Sequence, residues 1–179
     1  MPQHLLPHFN DRPIVAIVDT IVIHSMYDDS GSQPSDITGC LSLLNTNEVS
    51  AHYAISRDGE LWGLVAEERR AWHSRSREEP RDRMPFDDDS RDQINDFSIG
   101  IELVASGPHS DYTDDQYETL LALIASIRTR YPITAIVGHE HIAPGRKSDP
   151  GNCFDWHRII HAHQSSGLRF PAAVLRYRV

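Results

Sequence analysis

The sequence predicts an α/β fold, with one central mixed β-sheet of at least five strands and helices packed on it. Three observations support this prediction. Short apolar runs rich in β-branched residues alternate along the chain with stretches of helical periodicity. No internal repeat or coiled-coil heptad is present. At 179 residues the chain has the length of one domain, so residues 1–179 are expected to share one core.

The first predicted strand covers residues 14–24, where most side chains are apolar and β-branched. Such a run indicates a strand that is buried on both faces, and His24 ends it. Turn-forming residues follow. Apolar residues at helical spacing then predict a short helix over about residues 35–45.

Two further strands are predicted on either side of Arg57-Asp58-Gly59, because Asp-Gly favours the positive backbone torsions of a tight hairpin. A short strand is expected at residues 71–73 and another at 98–105. The polar residues 74–96 between these strands are predicted to form a long surface loop. Since this loop follows His73 directly, we expect it to border a functional site.

The helix signal that begins at Thr113 combines a capping box with one apolar face. Thr113 and Gln116 have the spacing of the capping box, and Pro132 stops the helical pattern. A last strand is predicted over residues 133–139 and a last helix over 154–164.

The charge distribution excludes several kinds of partner. The net charge is −9 with histidine neutral, and Lys and Arg do not cluster, which argues against nucleic acid or an anionic membrane surface. The sequence contains no apolar run long enough to span a bilayer and no signal-peptide pattern, so we expect a cytoplasmic protein. We also expect the protein to be a monomer. Cys40 and Cys153 are too few and too far apart for a disulfide framework, and we expect buried free thiols.

Three residues have the chemistry of a hydrolytic zinc site, which requires three protein ligands and an open fourth position. His24 and His139 end apolar strands, and Asp149 follows a Pro-Gly turn that could fold it back toward His139. Two neutral imidazoles and one carboxylate would leave zinc with a net charge of about +1, enough to lower the pKa of a bound water. A histidine at a strand end is more often a surface residue, and His141 would share a face with His139 if the strand continued. Spacing alone therefore does not choose the ligands.

The ordered motifs VSAHYAISRDG, RRAWH, NDFSIGIEL and GHEHIAPGRKSDPG, which follow IVIHS, resemble the zinc-dependent N-acetylmuramoyl-L-alanine amidases. The resemblance is strongest to the cytosolic AmpD type, which recycles cell-wall fragments, and it runs from about His24 to Trp156. It implies the amidase/peptidoglycan-recognition fold. It also implies one zinc ion per chain with His24, His139 and Asp149 as ligands, and so selects His139 over His141.

The resemblance also implies two catalytic residues. Glu102 corresponds to the general base that takes a proton from the attacking water and passes it to the leaving amine. Lys147 corresponds to a cation that stabilises the negative charge on the amide oxygen. Taken alone, these residues could equally be a carboxylate on a solvated strand face and a solvated loop lysine.

Three further residues are expected to bind substrate. His73 stands where the family motif has a substrate-facing histidine, and Arg70 and Arg146 could each pair with a carboxylate of the sugar or stem peptide. The alternative for both arginines is an ordinary surface charge.

The implied function is cleavage of the amide bond between N-acetylmuramic acid, in its ordinary or 1,6-anhydro form, and L-alanine of peptidoglycan stem peptides. The substrate would be a muropeptide, in cell-wall recycling or turnover. The main alternative is a peptidoglycan-recognition module that binds muropeptides without cleaving them, but such modules typically lack a metal ligand. A purely structural zinc would require a fourth ligand, which only His141 could supply.

Overall fold

The computed structural model describes residues 2–30, 33–74 and 82–175. The strands are β1 Phe9–Asp11, β2 Thr20–Met26, β3 Tyr53–Ile55, β4 Leu61–Gly63, β5 Arg69–Ala71, β6 Ser98–Val104 and β7 Ala135–Gly138. The helices are α1 Ile37–Thr46, α2 Asp114–Arg128, α3 His139–Ile142, α4 Trp156–Ala162 and α5 Ala172–Leu175, with a 3-10 turn at Ile94–Asp96.

The central sheet has the strand order β4-β3-β6-β2-β7. The pairs β3–β6, β6–β2 and β2–β7 are parallel, whereas β4 is antiparallel to β3. The predicted mixed sheet of five strands with packed helices is therefore confirmed. In place of the short strand expected at residues 71–73, the structure has β5, which ends at Ala71 and pairs with β1 in a separate two-stranded sheet.

Alternating side chains of β2 and β6 point to opposite faces of the sheet. On one face, α2 and α4 cover the largest core cluster, to which the two strands contribute Ile21, Ile23, Ile99, Ile101 and Leu103. His24 and Glu102 point to the other face, where Leu41 and Leu44 of α1 pack near Ala54. The candidate site is thus on the face that α1 covers.

The first predicted strand is shorter at its beginning than the sequence indicated. β6 and β7 both begin at positions paired with Thr20, so the residues before Thr20 have no neighbouring strand with which to pair. Ile14, Val15 and Ile17 are 104%, 89% and 64% exposed. The prediction of a buried strand is therefore wrong for residues 14–17. Val18 is buried but precedes β2, which continues past His24 to Met26.

The hairpin and the helix caps agree with the sequence. Gly59 has φ +79° in the turn between β3 and β4. The Thr113 and Gln116 side chains form both hydrogen bonds of the capping box of α2. Asp36 caps α1 by accepting a hydrogen bond from Gly39 N.

The stretch 74–96 differs from the predicted surface loop. Residues 75–81 lie outside the described ranges. Of the remainder, Asp82, Met84, Ile94 and Asn95 are buried, so this part of the chain contributes to the interior. The surface-loop prediction is wrong for these residues. Met84 and Ile94 pack in one cluster with Val22 and Val137 of the sheet, a contact that local polarity does not reveal.

The prediction of buried free thiols is confirmed for Cys40. Cys153 is also free, but it is partly exposed. In the part of the chain that is described, a helix with the length and apolar character of a bilayer span does not occur.

We expect Thr113→Ala to lower the free energy of unfolding by about 1 kcal/mol, since the N-cap hydroxyl accepts a hydrogen bond from Gln116 N at 3.1 Å. Urea unfolding measures the change. The control is Ser42→Ala on an exposed face of α1, which should be close to neutral. Equal stability of the two variants would contradict the capping role.

Candidate metal centre and active site

Parallel strand pairing brings two histidines and one carboxylate to the same edge of the sheet. His24 lies in β2, and His139 begins α3 directly after β7, whose Gly138 pairs with Ile23. Asp149 is brought back by a backbone hydrogen bond from Glu140 N to its carbonyl oxygen, of 2.8 Å. The ligand atoms of the three residues all lie within 4.8 Å of one another.

The turn that carries Asp149 packs against Gly138. A Cβ atom at Gly138 would lie 2.7 Å from Pro150 Cδ and 2.9 Å from His141 Nδ1. Contacts that short require atoms to shift, so any larger residue at this position would displace the chain next to Asp149. Gly138 therefore permits the close approach of Asp149.

The spacing of the three side chains fits a tetrahedral zinc site. The Nδ1 atoms of His24 and His139 are 3.0 Å apart, and they lie 3.4 and 3.1 Å from Asp149 Oδ2. Ligands bound to zinc at its usual bond lengths are about 3.3 Å apart in a tetrahedron. The donor set, two imidazole nitrogens and one carboxylate oxygen, is one that zinc prefers.

His141 has another environment. The chain turns into α3 after Gly138, so His141 does not share a strand face with His139. Its Nδ1 accepts a hydrogen bond from Gly138 N at 2.9 Å, and its ring packs edge-on against Trp156. Of the two candidate histidines, only His139 contributes to the cluster found in the described residues.

Protonation of the cluster is set by burial and by contacts among its members. Burial, and next the neighbouring His139, lower the pKa of His24 to about 4. Burial also disfavours charge on His139 and Asp149. Hydrogen bonding outweighs this effect, raising the pKa of His139 and lowering that of Asp149 well below its usual value. The neutral His24 and the ionised Asp149 are the forms that bind a cation.

Glu102 lies beside His24 because the two residues pair in the β2–β6 register. It is 7% exposed, and its Oε2 atom is buried without a hydrogen-bond partner in the described part of the chain. Burial, and next the charge of Asp149, raise the pKa of Glu102 to about 8, against the effects of His139 and Lys147. The carboxyl group is thus not on a solvated strand face, and it can exchange a proton near neutral pH.

His139 of the cluster lines a cleft of about 740 Å³, whose lining also includes His73, Lys147 and both candidate arginines. Arg70 forms an ion pair with Asp96, and Arg146 forms one with Asp82. Both guanidinium groups line the cleft but already have carboxylate partners within the protein. Lys147 is exposed at the cleft.

His73 is a buried residue beside the cluster. It is 7% exposed, and its Nδ1 lies 3.1 Å from His24 Nε2. Its Nε2 lies 3.1 Å from Ser98 Oγ. Both ring nitrogens therefore have partners within the protein, although the ring also lines the cleft.

Asp82 is near the site but was not singled out from the sequence. Its carboxylate is buried and accepts a hydrogen bond from Ser74 Oγ at 2.5 Å. Its Oδ2 atom lies 3.7 Å from His139 Nε2, an electrostatic contact that is longer than a hydrogen bond. Nothing in the local sequence distinguishes Asp82 from the other acids of this charged stretch.

The comparisons with known proteins agree with this geometry. Residues 12–152 match the family model described as N-acetylmuramoyl-L-alanine amidase. The 1,6-anhydro-N-acetylmuramyl-L-alanine amidase AmpD of Salmonella typhimurium strain SL1344 is 43% identical over 168 residues, which cover 86% of this chain and 84% of that protein. The protein of the same name from Citrobacter freundii is 45% identical over 113 residues, covering 62% of this chain and 55% of that protein.

A solved structure of the N-acetylmuramyl-L-alanine amidase AmiD from E. coli is also similar. Its TM-score is 0.68 at 28% identity, and the match covers 84% of this chain and 60% of that chain. That structure is a complex with the substrate anhydro-N-acetylmuramic acid-L-Ala-D-gamma-Glu-L-Lys.

The fold, with its potential metal-binding cluster at the edge of a mixed sheet, defines the chain as an α/β amidase domain. It belongs to the N-acetylmuramoyl-L-alanine amidase family.

We expect His139→Ala to lose bound metal and His141→Ala to retain it, because of these two residues only His139 has a ring nitrogen in the cluster. Elemental analysis of the purified variants measures the metal content. His141→Ala is the matched control, since it removes a neighbouring imidazole of the same helix. Loss of metal from His141→Ala together with retention in His139→Ala would reverse the assignment.

Proposed function

We propose that the chain is a zinc-dependent hydrolase that cleaves the amide bond between N-acetylmuramic acid and L-alanine of a muropeptide. The observation that carries the proposal is the cluster of His24, His139 and Asp149 beside Glu102, whose buried Oε2 atom has no hydrogen-bond partner among the described residues. Family membership supplies the substrate class. The names of the similar AmpD proteins favour the 1,6-anhydro form of the sugar.

In this proposal His24, His139 and Asp149 hold the zinc ion. A zinc ion bound at such a site lowers the pKa of a water molecule and polarises a carbonyl group. Glu102 accepts the proton of the attacking water and delivers it to the leaving nitrogen of L-alanine. The raised pKa of Glu102 suits both transfers, because a carboxyl group that titrates near neutral pH can take up a proton and release it within one cycle.

Lys147 has the second catalytic role in the proposal. Its ammonium group lies on the cleft and is close enough to favour ionisation of Glu102. A cation in this position stabilises the negative charge that develops on the oxygen of the scissile amide. Arg70 and Arg146 already have carboxylate partners within the protein, whereas no ion pair of Lys147 occurs among the described residues.

We further propose that Arg70 and Arg146 orient the substrate from the wall of the cleft, with their guanidinium groups held by Asp96 and Asp82. An arginine can donate to two partners through its planar fork, so such an ion pair still leaves donors for a substrate carboxylate. The resemblance to the cytosolic AmpD type supports action as a monomer on soluble wall fragments in the cytoplasm.

A recognition module that binds muropeptides without cleaving them is the alternative function. The complete set of potential ligands together with Glu102 argues for catalysis. Mass spectrometry of a defined anhydromuropeptide after incubation distinguishes the two functions. Release of the intact stem peptide, abolished by a chelator and restored by zinc, is expected for the amidase, whereas binding with no product would support the module.

We expect Glu102→Gln and Lys147→Ala to retain zinc and the fold while turnover falls by roughly 100-fold or more, since both groups act mainly in the transition state. Steady-state kinetics on the anhydromuropeptide, at matched zinc content, measure the loss. Arg158→Ala, on the exposed surface of α4, is the control. Turnover of Glu102→Gln within about threefold of the unaltered enzyme would remove Glu102 from the proton transfer.

The pH profile tests the same role of Glu102. A base must be deprotonated, so kcat/KM should be low at acid pH and rise as pH increases through the pKa of Glu102. That pKa is about 8 without a cation, and a bound cation favours the carboxylate, so the midpoint should fall below 8. Glu102→Gln should flatten the acid limb, provided that zinc content is constant across the range. An unchanged acid limb in Glu102→Gln would assign it to another group.

A further inference from the structure

His73 is linked to a potential metal ligand by a chain of hydrogen bonds that ends on the backbone. Ser98 Oγ donates to Ile94 O at 2.6 Å, and Ser98 Oγ also lies 3.1 Å from His73 Nε2. The other ring nitrogen of His73, Nδ1, lies 3.1 Å from His24 Nε2. His73, Ser98 and His24 are all buried.

The direction of each hydrogen bond in this chain follows from counting protons. Ser98 has one hydroxyl proton, and a carbonyl oxygen can only accept, so that proton is used on Ile94 O. Ser98 must therefore accept from His73, which places the proton of the His73 ring on Nε2. A neutral imidazole with a proton on Nε2 has a lone pair on Nδ1, so His73 accepts from His24 Nε2–H. The lone pair of His24 is then on Nδ1, the atom that faces His139 and Asp149.

We propose that His73 is a positioning residue for His24, and that the His73–Ser98 pair fixes the ring orientation and tautomer that the metal requires. This inference rests on the proposed function only in taking the cluster as a metal site. It assigns His73 to the support of a ligand and not to substrate binding, which was the expectation from the sequence. Histidine ligands generally depend on such a partner at their second nitrogen.

Gly100 supports the same assignment. A Cβ atom at Gly100 would lie 2.4 Å from His73 Cγ, so the ring occupies the space that a side chain of β6 would otherwise fill. Ser98, Gly100 and Glu102 alternate along β6 and hence share one face of the sheet. The first accepts from His73, the second admits its ring, and the third lies beside the cluster.

Competition with a chelator tests the proposal by measuring zinc affinity separately from activity. We expect His73→Leu to weaken zinc binding by about 10-fold to 100-fold, the usual effect of losing a partner of this kind. His73→Asn should restore much of the affinity, because its amide oxygen can occupy the place of Nδ1 and accept from His24. Ser98→Ala should have a smaller effect, since it only removes the preference for one tautomer of His73. His163→Leu is the control, because it removes a buried histidine of the α4 end, remote from the cluster.

Nitrogen NMR of the histidine rings provides the second measurement, in zinc-loaded and chelator-treated protein. We expect His24 and His73 both to carry the proton on Nε2. In chelator-treated Ser98→Ala, where no metal occupies Nδ1, the His24 tautomer should become mixed. If His24 carries its proton on Nδ1 in the chelator-treated protein, or if His73→Leu folds and binds zinc as tightly as His163→Leu, the proposal is overturned. Absence of zinc binding in the unaltered protein would instead contradict the proposed function, and the chelator-treated spectrum would still test the hydrogen-bond chain.

Discussion

The parallel pairing of β2 with β6 is the interaction on which the rest of the site depends. It sets His24 beside Glu102. The pairing of β2 with β7 brings His139, the residue directly after β7, to the same edge of the sheet. Because side chains alternate along a strand, a slip of one residue would turn His24 into the core and an isoleucine toward the metal-binding cluster. The apolar residues that face α2 and α4 prevent such a slip, since they would then lose their burial. The packing of one face of the sheet thus fixes the chemistry on the other.

The same arrangement concentrates negative charge in a buried place. The charge of Asp149 contributes to the raised pKa of Glu102, and burial disfavours ionisation of both carboxyl groups. Two carboxyl groups buried close together destabilise the folded state. Functional sites often contain such unfavourable arrangements. A divalent cation held by His24, His139 and Asp149 would offset this cost, so metal binding and stability of this region should be coupled.

The sequence predicted those parts of the fold that depend on local rules. The Asp58-Gly59 turn and the Thr113 cap form because of their own side chains and backbone torsions, so their residue types were sufficient. Ile14 was misjudged because an apolar run indicates a strand only where neighbouring strands extend far enough to pair with it. The candidate ligands were identified from ordered motifs that the resemblance supplied, since spacing alone left two histidines open. The contact of Asp82 with His139 could not be predicted, because it joins segments that only the fold brings together.

The two histidines of the cluster are supported differently, and the difference has a chemical consequence. The Nε2 atom of His139 faces the Asp82 carboxylate, whereas that of His24 is bonded to the neutral ring of His73. A carboxylate that contacts the second nitrogen of an imidazole makes the first nitrogen a stronger electron donor to a metal. A neutral partner fixes the orientation of the ring without adding charge. Arg146 also balances the charge of Asp82. Asp149 is then the main uncompensated negative charge among the ligands and their supports, so a bound zinc ion would keep a net charge of about +1. This positive charge is what lowers the pKa of a bound water. A carboxylate in place of His73, next to His24, would reduce the net positive charge.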